Sequence, residues 1–91
     1  MNATNPPEAP TASKRERFKA VYTAELRNAV LNHPTEYCWP VANVEVVASR
    51  MFEAMDRGTF NHSSYAYRQT AKALGIKPTR TAILAYWKGT L

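Results

Sequence analysis

Apolar residues recur along most of this chain with the spacing of an α-helix. The first run has one apolar face made of Phe18, Val21, Tyr22, Leu26, Ala29 and Val30. Ser13 and Glu16 form a capping box before it, in which Ser13 can accept a hydrogen bond from the Glu16 amide. Pro34 ends the run, because the residue before a proline disfavours the α conformation. The pattern predicts a first helix over about residues 14–32.

A second helical pattern covers about residues 41–57. Its predicted buried stripe consists of Val44, Val47, Ala48, Met51 and Met55, widened by Phe52. Gly58 follows directly, where a positive φ costs a glycine little. In the link before this helix, we expect Trp39 to anchor the chain on the core and Cys38 to be a small buried hydrophobe.

Two shorter helices are predicted in the last third of the chain. The third covers about residues 64–74, with Ser63 or Asn61 as its cap, and Gly75 ends it. Pro78 suits the first turn of the fourth helix, because the N–H that proline lacks would be unpaired there. The apolar positions of the fourth helix are Ile83, Leu84, Tyr86 and Trp87, and Gly89 marks its end.

These segments predict an all-α fold, a small four-helix domain over residues 13–91 with a C-terminal helix-turn-helix-like hairpin. No segment alternates polar and apolar residues for long enough to form a convincing strand. Residues 1–12, which combine prolines with polar or small neighbours, are predicted to be a disordered leader. About 80 residues lie near the lower end of what folds unaided, so a homodimer is an open alternative.

Positive charge is concentrated in the last third of the chain. Residues 59–91 contain no Asp or Glu and five cations, which are Arg68, Lys72, Lys77, Arg80 and Lys88. The remainder holds seven Lys or Arg and all seven Asp or Glu, so the formal net charge of +5 arises from this segment alone. Such a segment favours a polyanion, above all a nucleic acid. The alternative without a binding function is a helical hairpin whose basic face is simply solvated.

The same segment contains the order helix, tight turn, helix. Ala71 and Gly75 stand four positions apart, so the two helices can approach closely, and apolar anchors flank the turn. The pattern formed by Ala71, Leu74, Gly75 and Ile76 resembles the Fis-like and response-regulator-effector type of helix-turn-helix. The resemblance covers about residues 68–87. The resemblance implies binding of double-stranded DNA, with the second helix in the major groove.

The resemblance also implies roles for seven nucleic-acid-binding residues: Arg68, Lys72, Lys77, Thr79, Arg80, Thr81 and Lys88. Thr79, Arg80 and Thr81 would lead the recognition helix, since Arg can bond to guanine and Thr can contact a phosphate or a thymine methyl. Lys72 and Lys77 would meet phosphates, with the outermost two cations at the periphery.

One part of the motif departs from the standard pattern. Helix-turn-helix motifs usually bury an apolar residue five or six positions after the glycine, where this chain has Arg80 and Thr81. Ile83 and Leu84 come later. Either the turn is longer, or the helices pack at another angle.

A second resemblance covers Trp39-Pro40-Val41 and residues 73–79, which look like small basic phage and prophage proteins without an assigned activity. It implies a mobile-element origin. The leading hypothesis is therefore a DNA-binding regulator or accessory factor of a phage. The alternative is a protein-interaction module that inhibits or redirects a host protein.

Other chemistry finds little support in the residues. His33 and His62 are far apart and Cys38 stands alone, so no metal site, cofactor or catalytic activity is predicted. The single cysteine and the lack of a signal peptide favour a cytoplasmic setting. No apolar stretch approaches the length needed to span a bilayer, so no membrane partner is expected.

Aromatic residues alternate with the cations of the last third. They are Phe60, Tyr65, Tyr67, Tyr86 and Trp87. Aromatic rings between cations can stack on unpaired bases, although rings at helical spacing belong more often to the core. Tyr65 is the one expected to be partly exposed.

Overall fold

The structure is a computed structural model that describes residues 13–90 and contains four α-helices in that range. They are α1 (Lys14–Asn32), α2 (Val44–Arg57), α3 (Tyr65–Leu74) and α4 (Arg80–Lys88). Two 3-10 turns, Pro34–Glu36 and Val41–Asn43, lie between α1 and α2. The described part has no strand, so the predicted all-α fold is confirmed. The predicted leader lies outside the described residues.

The long helix α1 forms the centre of the molecule, because the main helix–helix contacts all involve it. Its buried side chains are Phe18, Tyr22, Leu26, Ala29 and Val30. The rest of the core comes from Val44, Ala48, Met55, Phe60, Ala66, Tyr67, Ala71, Ile83, Tyr86 and Trp87. The three shorter helices thus remove their apolar faces from water by packing on α1.

Aromatic rings fill much of this core. The Phe18 ring lies 5.6 Å from the Trp87 ring, edge to face, and 6.3 Å from the Tyr67 ring. Tyr22 and Tyr67 have ring centres 4.7 Å apart. Each aromatic pair at such a distance stabilises the fold by about 0.5–1.5 kcal/mol, in addition to the contribution from burying its apolar surface. Four of the five aromatic residues of the last third are buried, as their helical spacing indicated.

Local sequence accounts for most helix ends. Ser13 Oγ accepts a hydrogen bond from the Glu16 amide at 3.1 Å, as the capping box predicted. Gly75 ends α3 with a φ of 72°, and the Ile76 amide folds back to donate to the Ala71 carbonyl at 2.9 Å. This backbone turn fixes the direction in which the chain leaves α3.

The predicted start of the last helix was wrong. α4 begins at Arg80, so Pro78 lies before the helix and not in its first turn. Thr79 is the N-cap residue, and its Oγ1 accepts from the Ala82 amide at 3.2 Å. A threonine hydroxyl can satisfy one of the unpaired amides at a helix start, which a proline ring cannot do.

Two further local predictions were wrong. The residue that precedes α3 is Ser64, and no side chain caps this helix. Asn61 Oδ1 instead accepts from the Ser63 amide at 3.2 Å, which closes a local turn before the helix starts. Cys38 is exposed, because the neighbouring Trp39 takes the place in the loop that packs against the core.

Candidate nucleic-acid interface

All seven predicted nucleic-acid-binding residues lie at the surface. They are Arg68 and Lys72 on α3, Lys77 and Thr79 in the linker, and Arg80, Thr81 and Lys88 on α4, all of them exposed. The buried face of α3 is formed by Ala66, Tyr67, Thr70 and Ala71. Because the helices bury their other faces on α1, the positive side chains are left facing solvent.

Within residues 13–90, the cations of the last third have no carboxylate partner. The ion pairs of the described part all involve carboxylates of α1, α2 or the turn between them. Arg15 pairs with Asp56 at 3.0 Å, and Arg27 pairs with Glu45 at 3.5 Å. The five cations that follow residue 59 form none of these pairs. Their charge is therefore not neutralised within the described part of the chain.

Arg80 differs from the other four cations because its side chain is held against the body of the protein. Its Nη1 donates to the Gly58 carbonyl at 3.1 Å. Its guanidinium lies 4.8 Å from the centre of the Phe60 ring, where a cation–π attraction holds it. Reading a guanine would require Arg80 to leave both contacts, so its role as a base reader stays a prediction.

The linker between α3 and α4 comprises residues 75–79. This length explains why Arg80 and Thr81, and not apolar residues, stand at the start of the last helix. Ile83, the fourth residue of α4, is the first buried residue of this helix. A linker of five residues fits the alternative of a longer turn, and the angle between the two helices stays a prediction. Insertion of α4 into a DNA groove stays a prediction.

A shallow groove of about 460 Å³ runs along the exposed face of α3. We call it the Tyr65 groove, and its lining residues are Tyr65, Arg68, Gln69, Lys72, Ile76 and Pro78. The four residues from α3 share one face because they are spaced three, four and seven positions apart. The groove brings Arg68 and Lys72 together with an aromatic ring. Lys88 is the last residue of α4 and is not among the lining residues.

Tyr65, the aromatic residue of this groove, also affects the ionisation of a second tyrosine. Tyr65 is 46% exposed, as the sequence indicated. The pKa of the Tyr37 hydroxyl is raised, first by burial and then by the neighbouring Glu36 and Tyr65. Tyr37 in turn meets the Trp39 ring edge to face at 5.5 Å. Sequence reasoning missed this proximity, because the two tyrosines belong to different elements.

Gln69, Ile76 and Pro78 were also missed as candidate site residues. Their positions in the sequence indicate that they lie near the cations. Gln69 stands one helical turn after Tyr65, and Ile76 and Pro78 flank Lys77. All three are uncharged, so a search for positive charge does not find them.

A second groove, of about 450 Å³, lies between α1 and α2. It carries both signs of charge, with Lys19 and Arg27 beside Glu16 and Glu45. Lys19 Nζ lies 4.0 Å from Glu16, which partly neutralises this surface. A polyanion would meet carboxylates here, so this groove is the weaker candidate for a nucleic-acid contact.

In the described part of the chain, no three His, Cys, Asp or Glu side chains come together as metal ligands would. No helix of that part is long and apolar enough to cross a membrane. The chain matches no protein-family model, and no curated protein or solved structure matches it either.

Proposed function

We propose that this protein binds nucleic acid, and double-stranded DNA in the first place, as a small regulator or accessory factor of a phage or mobile element. The contact would be made by the C-terminal basic surface, which consists of Arg68, Lys72, Lys77, Arg80 and Lys88. One observation carries the proposal: these cations are exposed and have no carboxylate partner among the residues that the structure describes, in a segment without acidic residues. The mobile-element context rests on the resemblance of the Trp39 and Gly75 segments to phage proteins.

Contacts to phosphates would supply most of the affinity. Each Lys or Arg that neutralises a phosphate releases condensed counterions, so the affinity falls as salt rises. The logarithmic slope is about −0.9 for each phosphate contact on duplex DNA. If the four cations outside the Arg80 contacts all meet phosphates, the slope would be roughly −3 to −4. Such contacts position a protein on DNA without reading the sequence.

A salt series tests this proposal directly. Fluorescence anisotropy with a labelled duplex, from about 50 to 200 mM salt, should give this slope. Lys77→Ala should weaken binding and reduce the magnitude of the slope by about one, because one phosphate contact is lost. The matched control is Arg17→Ala, which removes the same charge from an exposed position on α1 that has no ion pair in the described part. It should leave the slope nearly unchanged.

Two outcomes would overturn the proposal. One is the absence of any DNA or RNA binding by the intact protein at low salt. The other is an equal loss of affinity in Arg17→Ala and Lys77→Ala, because the binding would then reflect net charge alone.

The second candidate function is a protein-interaction module that inhibits or redirects a host protein. It is favoured by three apolar side chains that are exposed outside the basic surface, Leu31 at 58%, Val46 at 54% and Val41 at 37%. Exposed apolar residues of this kind often belong to protein contacts when they form a patch. A host protein that stays bound in stoichiometric amount after nuclease treatment, together with no DNA binding by the pure protein, would favour this function.

A further inference from the structure

The Tyr65 groove combines two kinds of side chain that phosphate contacts alone would not need together. Arg68 and Lys72 stand one helical turn apart on its rim, and Tyr65, Ile76 and Pro78 give it apolar walls. No carboxylate is among its lining residues. Its volume of about 460 Å³ lies in the range of small-molecule sites.

We propose that the Tyr65 groove holds one unpaired base of a bound nucleic acid, with the base stacked on Tyr65 and the flanking phosphates on Arg68 and Lys72. This inference rests on the proposed function and names the part of the nucleic acid that the groove recognises. The protein would then prefer DNA with a single-stranded end or gap over a blunt duplex.

The ring of Tyr65 is placed to take part in stacking. It stands at the first position of α3, is 46% exposed and lines the groove, so a ligand in the groove can reach it. Every base has a π face, and stacking on an aromatic side chain contributes strongly to the binding of single strands, without regard to sequence. A base inside a blunt duplex is already stacked on its neighbours and cannot enter the groove.

The remaining lining residues fit the rest of a nucleotide. Gln69 carries an amide that can both donate and accept hydrogen bonds, which suits the edge of a base. Arg68 and Lys72 are four positions apart, so their Cβ atoms lie about 5–6 Å from each other on the helix surface. They can therefore meet phosphates on either side of one nucleotide. An acidic peptide would also meet the cations, but it would leave the exposed ring without a planar partner.

The test compares two ligands and four forms of the full-length protein, which are the native protein, Tyr65→Ala, Tyr65→Phe and the control Lys88→Ala. The ligands are a blunt duplex and the same duplex with a short single-stranded overhang, both at one salt concentration. The native protein should bind the overhang ligand on the order of tenfold more tightly. Tyr65→Ala should lose this preference and keep the affinity for the blunt duplex within about twofold, whereas Tyr65→Phe should retain it, because the ring remains. The exposure of Tyr65 means that neither change removes a core contact.

A second readout reports stacking itself. A 2-aminopurine base in the overhang should lose fluorescence when the native protein binds, and Tyr65→Ala should abolish this quenching. Lys88→Ala is the control for a charge outside the groove. It should weaken the binding of both ligands equally and leave the preference for the overhang unchanged.

The outcomes separate this inference from the proposed function. Salt-sensitive binding of the blunt duplex without any preference for the overhang would overturn the inference alone. A preference that survives in Tyr65→Ala would also overturn it, because another part of the protein would then recognise the unpaired base. No binding of either ligand at low salt would overturn both proposals.

Discussion

Asp56 connects three helices through one carboxylate. It stands on α2, receives a hydrogen bond from Trp87 Nε1 of α4 at 2.8 Å, and accepts from Arg15 of α1 at 3.0 Å. The Arg15 guanidinium also lies 4.1 Å from the Trp87 ring centre. A buried tryptophan needs an acceptor for its ring N–H, and this carboxylate supplies it. The pKa of Asp56 is lowered, first by the Trp87 hydrogen bond and then by Arg15.

This lowered pKa predicts a loss of stability in acid. In the unfolded chain the pKa of Asp56 returns to its ordinary value of 3.8. The ionised carboxylate therefore stabilises the fold above pH 3.8, and this stabilisation is lost as the pH falls further and the folded protein takes up the proton. Asp56→Asn should lower the urea midpoint at neutral pH and make the midpoint change less between pH 5 and pH 3. The control is Glu53→Gln on the same helix, since Glu53 is exposed and has no ion pair in the described part. An acid response in Asp56→Asn as steep as that of the native protein would contradict the assignment.

The partners of Asp56 could not be read from the sequence. Arg15 is 41 positions away and Trp87 is 31 positions away, so no helical period connects them. The same limit applies to Arg80, whose contact with the Gly58 carbonyl spans 22 positions. The exposure of single residues was more predictable, because the face of a helix that carries a charged residue follows from its spacing. The exposure of Tyr65 was expected on that basis and is confirmed.

At the scale of the element, the helices were predictable because their ends depend on neighbours in the sequence. The bounds of α1 agree with the prediction from its capping box and from Pro34. The start of α4 was wrong because two local signals competed, a proline suited to a first turn and a threonine suited to a cap. Propensity alone does not decide between such neighbours, whereas the burial of Ile83 and Trp87 in the core fixes which face of the helix turns inward.

The end of α3 provides a test at this scale. Gly75 has a φ of 72°, and a Cβ added there would meet no atom within 4 Å. The cost of Gly75→Ala is therefore conformational, and we expect a loss of about 1–2 kcal/mol in the free energy of unfolding. Gly75→Asn should lose less, because asparagine tolerates this conformation better than alanine. Urea denaturation at neutral pH measures both. Equal losses in the two variants would show that the positive φ is not the cause.

At the scale of the whole molecule, charge is divided between two regions. The ion pairs of the described part belong to α1, α2 and the turn between them, whereas the cations of α3, the linker and α4 form none. The sequence predicted this division of charge, because the division depends only on the positions of the acidic residues along the chain. The packing of every shorter helix on α1, and the Tyr65 groove that results, could not be predicted. Periodicity identifies the apolar face of a helix but does not say which other helix covers it.

The aromatic core between α1 and α3 predicts how the whole molecule responds to alkali. Burial raises the pKa of both Tyr22 and Tyr67 far above the ordinary value of 10.0. Above pH 10 the unfolded chain therefore releases protons that the folded protein retains, and stability falls by up to about 1.4 kcal/mol per pH unit for each tyrosine. Tyr22→Phe should make this decline less steep, as measured by denaturant unfolding between pH 9 and pH 11. Tyr65→Phe, the same substitution at an exposed position, is the matched control. The same steepness in Tyr22→Phe and in the native protein would mean that other groups cause the alkaline unfolding.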